Sequence, residues 1–121
     1  MATISKVLLS GSTQGKGIKL TDTSTSGNTD AGYLIHTAVS GTTDIDEVWI
    51  YASNTHTGAV TLTLEWGGVT SPDDHIKAVI NPNETVLVAP GLPLQNGLLI
   101  KAFASVADKL ILFGYVNRMD I

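Results

Sequence analysis

The stretch DEVWIYASNTHTGAVTLTLEWGG, residues 46–68, contains both tryptophans of the chain and a polar turn between two apolar runs. Side chains alternate between the two faces of a β-strand, so each run can be read face by face. In the second run Val60, Leu62, Leu64 and Trp66 share one parity, and Thr61, Thr63 and Glu65 share the other. That is the pattern of a strand with one core face and one wet face. In the first run Val48, Ile50 and Ala52 fall on one face, with Trp49 and Tyr51 on the other. Both of its faces are suited to burial. The segment NTHTG, residues 54–58, reads as the turn of a hairpin that joins the two strands.

The closing run KLILFGYVNR, residues 109–118, repeats the two-sided pattern. Leu110, Leu112 and Val116 lie on one side, and Ile111, Phe113 and Tyr115 on the other. LLIKAFA, residues 98–104, is apolar on both parities except at Lys101. Such runs belong in sheets covered on both faces, ordinarily by helices. No window of this chain sustains a helical apolar period; FASVADKL, residues 103–110, is the best helical candidate and is short. Burying one large apolar side chain stabilises by roughly 1.5–3 kcal/mol, so a wet second face forfeits several such terms. Another subunit is the expected cover. Loops folded over the sheet and an aromatic ligand platform are the alternatives, and the pattern leaves open which parity faces the core.

Strands are predicted near 3–10, 17–20, 33–39, 47–53, 59–66, 75–80, 85–90, 98–104 and 109–117. Their spacing and turn punctuation indicate an all-β fold, an antiparallel β-sandwich. TDTSTSGNTDAG, residues 21–32, has no Val, Ile, Leu, Met or aromatic residue and reads as a loop. It divides an N-terminal strand or arm with its flexible loop (1–32) from a sandwich body (33–121). Pro90 and Pro93 make residues 88–97 a loop or an irregular edge, because proline cannot donate to a ladder.

The 121 residues are 43% hydrophobic and only 15% charged, with a net charge of -4 and no cysteine. Lys6, Lys16, Lys19, Lys77, Lys101, Lys109 and Arg118 are scattered singly, which argues against nucleic acid as a partner. No run approaches the roughly 20 apolar residues of a membrane helix, and the N-terminus does not read as a signal peptide. A soluble protein made in a cytoplasm is expected. His36, His56 and His75 show no metal-ligand spacing. Asp73 and Asp74 sit in SPDDH, a natural β-turn, and read as loop charges rather than a catalytic dyad. DIDE, residues 44–47, reads as a solvated acidic corner in preference to a calcium site. GSTQGKG, residues 11–17, lacks the P-loop spacing and reads as a turn. The expectation is a protein with no catalytic residues, no metal and no cofactor, hence not an enzyme. Trp49, Tyr51, Trp66 and Tyr115 could form a sugar-stacking platform, though aromatic residues of a sandwich more often serve core or interface.

Residues 46–68, then VLVAPGLPLQNGLLIKAFAS (86–105) and LFGYVNR (112–118), resemble the small head decoration, or cement, proteins of tailed bacteriophages. The resemblance covers roughly residues 33–118. It implies a small sandwich or jelly-roll-like subunit that forms trimers on the outer surface of the capsid. There it would bind the major capsid protein and stabilise the shell. Together with the two-sided strands, it points to Trp49, Tyr51, Phe113 and Tyr115 as the homo-oligomer interface. The alternative is a tail-fibre or carbohydrate-binding sandwich module.

Overall fold

The computed structural model describes residues 2–23 and 33–121. Each predicted run carries a strand: β1 (Thr3–Leu8), β2 (Ile18–Lys19), β3 (Tyr33–Thr37), β4 (Ile45–Asn54), β5 (Val60–Trp66), β6 (His75–Ile80), β7 (Thr85–Leu94), β8 (Leu99–Ala104) and β9 (Leu110–Asp120). No described residue is helical. The helical candidate at 103–110 is instead the end of β8, a turn with Asp108 at φ 66°, and the start of β9. Most of the predicted flexible loop, residues 24–32, lies outside the described residues.

The strands form two antiparallel sheets. Sheet A has the order β1-β9-β4-β7, with β2 also paired to β9, and sheet B has the order β3-β8-β5-β6. The pairs β5 with β6, β4 with β7, β3 with β8 and β1 with β9 are nested one inside the next. The chain is therefore one long antiparallel ribbon, folded back at residues 67–74 and rolled into two layers. This is the strand order of a jelly roll.

That order corrects the reading of residues 46–68. β4 belongs to sheet A and β5 to sheet B, so the two do not form a hairpin. The apolar parities of the two strands face each other across the core instead of lying side by side. Val48, Ile50 and Ala52 are buried against Val60, Leu62 and Leu64 in one cluster. Asn54 shapes the crossing between layers. It is buried; its Nδ2 donates to the carbonyls of Gly58 and Ile80, and its Oδ1 accepts from the His56 N–H.

Leu110, Leu112 and Val116 of β9 share the inner face with Val48 and Ile50. The true hairpin is β5–β6. β7 carries Pro90 and Pro93 within a strand at the sheet edge, where two register shifts absorb the irregularity. The N-terminal segment shares the core of the body: Leu9, Ile18 and Leu20 are buried in the central cluster. Gly11 donates its N–H to the Ile35 carbonyl at 2.9 Å, and a Cβ there would collide with the backbone of β3.

The acidic corner is also corrected. Asp46 lies on the inner face of β4, fully buried, opposite Arg118 of β9. Arg118 donates to it twice, from Nε at 2.7 Å and from an Nη at 3.0 Å. Val39 donates its backbone N–H to Oδ2. Ser10 donates its N–H to Nδ1 of His36, which places the imidazole proton on Nε2, 2.8 Å from Asp46 Oδ2. The network ties β3 of sheet B to both central strands of sheet A and to the N-terminal segment. Burial raises the Asp46 carboxyl, but the donors from Arg118, His36 and Val39 outweigh it and hold the group below its ordinary value. Its stabilisation is therefore present above the unfolded pKa, about 3.9, and is lost as pH falls through the lower folded value. Asp46→Asn should cost about 3 kcal/mol in urea unfolding at pH 7, the lower end for a broken buried pair because Arg118 is partly exposed. The variant should also show a shallower acid limb than the wild type below about pH 4.

Candidate interaction surface

Alternation puts the second parity of β4 and β9 on the outside of sheet A. Trp49 stands opposite Tyr115, and Tyr51 opposite Phe113. The four expected interface residues thus form a block of two cross-strand pairs. The Trp49 and Tyr115 rings stack with centroids 6.1 Å apart and planes 11° apart. The register extends both pairs across the sheet. One row runs Leu8–Tyr115–Trp49–Pro90, and the next runs Phe113–Tyr51–Leu87. Leu8 is 52% exposed and Phe113 42%, and Leu87 is exposed as well.

Polar rows border the apolar ones. On one side lie Lys6, Asn117 and Glu47; on the other lie Lys19, Ser53 and Thr85, interrupted by the apolar Ile111, and there the Thr85 hydroxyl donates to Ser53 Oγ. The indole Nε1 of Trp49 donates to Glu47 Oε1 at 2.9 Å, and Asn117 Nδ2 donates to the same oxygen at 3.2 Å. These donors hold the Glu47 carboxyl below its ordinary value. Gly91, at φ 73°, lies under the indole; a Cβ there would sit 2.9 Å from the ring. The side chain of Trp49 is thus fixed from two directions. An apolar centre with a polar border is the anatomy of a protein interface. It is a poorer sugar platform, because the Lys6 ammonium lies 4.5 Å from the Tyr115 ring centroid, a cation–π contact that competes for that ring. Trp66, the fourth residue of the predicted platform, belongs to β5 of the other sheet and donates its Nε1–H to the Pro93 carbonyl.

The remaining candidates are dispersed. His36 is held in the Asp46 network, and His56 sits in the crossing loop. Asp73 and Asp74 lie in the 67–74 turn; Asp74 also closes that turn by accepting the Thr70 N–H. Among the described residues no three His, Asp or Glu side chains converge as a metal site would require. The predicted wet face of β5 is not wet: Thr63 and Glu65 are buried on the outer side of sheet B. His75 has a buried side chain with neither ring nitrogen hydrogen-bonded, and its Nε2 lies 3.6 Å from Oε2 of Glu65. No sequence signal marked that pair, since a glutamate at the polar parity of an alternating strand reads as solvated. No described protein family matches this chain, and no curated protein or solved structure does.

Proposed function

We propose that this protein is a structural component of a tailed-phage virion, a decoration protein that binds the outer surface of the capsid and stabilises the shell. Its subunits assemble as a homotrimer through the outer face of sheet A. The observation that carries the reading is the block of Trp49, Tyr51, Phe113 and Tyr115 on one exposed sheet face, flanked by Leu8 and Leu87. A contiguous apolar patch of this kind on a lone subunit invites aggregation, and a closed ring of subunits covers it without open-ended growth. The threefold number comes from the sequence resemblance, as does the capsid as partner. A trimer would then engage the shell through several weak contacts that reinforce one another by effective concentration.

Light scattering at micromolar concentration should give three times the 12.7 kDa chain mass, and a clean monomer would overturn the assembly. Because Phe113 projects outward, Phe113→Glu should yield a folded monomer with an unchanged far-UV spectrum. Loss of folding in that variant would instead place the residue in a structural role. Purified protein added to undecorated heads should restore their resistance to heat and chelators. Equal affinity for free coat subunits and for assembled heads would count against the lattice-binding reading.

A further inference from the structure

The β5–β6 hairpin, the tip of the rolled ribbon, ends in a buried polar cluster that the proposed interface does not use. Glu65 and His75 are its last cross-strand pair before the 67–74 loop, and Lys101 stands beside Glu65 on β8. They occupy the outer face of sheet B, yet Glu65 is 0% exposed and the His75 side chain 4%. Nε2 of His75 lies 3.6 Å from Oε2 of Glu65, too far for a hydrogen bond. Both carboxyl oxygens and both ring nitrogens are without a hydrogen-bond partner, and among the described residues these are the buried side-chain atoms so left. The imidazole packs edge-on against Phe103, with centroids 5.9 Å apart.

Buried polar atoms without partners destabilise a fold, and a gathering of four of them at one point calls for a physical reason. One proton between the two groups supplies it. A protonated carboxyl can donate to the imidazole, or an imidazolium can donate to the carboxylate; either arrangement makes a strong hydrogen bond. Without that proton the carboxylate charge is buried with no countercharge on the imidazole, which then offers only the single N–H of its neutral form. The charged and titratable groups that bear on Glu65 are His75 of β6, Lys101 of β8 and Asp74 at the end of the loop, with Lys77 next along the outer face of β6. Burial raises the Glu65 carboxyl above its ordinary value, against the opposing pull of His75 and Lys101. A group so raised contributes stability that is present in acid and is lost as pH rises through its folded value.

We propose that Glu65 and His75 form a proton-gated latch at the tip of the ribbon. With a proton between them the pair closes and clamps the mouth of the 67–74 loop; without it the pair parts and the loop loosens. The loop is built to respond at this point. Trp66, next to Glu65, donates its N–H to the Asp74 carbonyl at 2.8 Å, and His75 itself donates to the Pro72 carbonyl at 3.2 Å, so the bonds that close the loop are made by the pair and its chain neighbours. Gly67, Gly68 and Val69 also line an apolar concavity of about 320 Å³ with Leu98, Leu99 and Lys101, which the opening of the loop would reshape. The latch is independent of the capsid reading and of the trimer.

Amide hydrogen exchange on the full chain between pH 4 and 8, corrected for intrinsic rates, tests the latch. Protection of the Trp66, Asp74 and His75 amides should fall several-fold as pH rises. The fall should share its midpoint with the titration of the Glu65 carboxyl, followed by its side-chain carbon shift. In Glu65→Gln the profile should be flat, while the Leu20 amide, bonded to the Leu110 carbonyl, serves as a reference in both proteins. A flat wild-type profile, a midpoint different from that of Glu65, or an undiminished pH dependence in Glu65→Gln would each overturn the proposal. Should Glu65→Gln fail to fold, the wild-type profile and its midpoint decide alone.

Discussion

The ladder between β4 and β9 is the constraint on which the rest of the molecule depends. It pairs the two strands from Ile45 opposite Met119 to Asn54 opposite Leu110 without a register shift. Because the side-chain period is two residues, that single register decides the fate of every residue on both strands. Val48, Ile50, Leu110 and Leu112 go inward together, and Trp49, Tyr51, Phe113 and Tyr115 go outward together. A slip by one residue would turn the aromatic block into the core and leave the aliphatic set in water. Gly114 permits the ladder at its centre, since a Cβ there would collide with the Trp49 carbonyl.

Two buried carboxylates, Asp46 on this ladder and Glu65 on the other sheet, have opposite electrostatics. Asp46 is saturated with donors and is held ionised, linking the layers and the N-terminal segment at one end of the sandwich. Glu65 is as deeply buried but has no donor at hydrogen-bond distance. Burial is therefore not what separates them; the supply of hydrogen bonds is. Acidification weakens the first site and favours the second, so the two carboxylates give the sandwich opposing responses to pH in different places.

A jelly roll hosts many functions, so the roll itself says little about what this protein does. The more specific feature is the asymmetry between the outer faces of its sheets. The outer face of sheet A carries apolar rows bordered by polar rows. The outer face of sheet B carries Lys77, Lys101 and the Glu65–His75 pair, with single exposed aliphatic residues such as Leu34 and Val79 but no aromatic block. A surface composed like the first is suited to a protein partner, and the proposed trimer uses it without disturbing the second.

Among the described residues, the nine strands, the absence of helix and the pairing of two apolar faces on β4 and β9 were legible in residue order alone, because alternation and turn chemistry are local properties. The same holds for the four aromatic residues as a group, since they share a parity on strands with apolar neighbours. Residue order alone did not decide that NTHTG crosses between layers instead of closing a hairpin. Both outcomes satisfy the same local pattern, and only the competition of β7, β8 and β9 for partners separates them. Nor did it mark Asp46 and Glu65 as buried. Each occupies a position whose neighbours in sequence are ordinary, and its surroundings come from strands distant along the chain: Arg118 and His36 around one, Lys101, His75 and Phe103 around the other. A charged residue's solvation is a property of what packs over it, which is settled only when the ribbon rolls up.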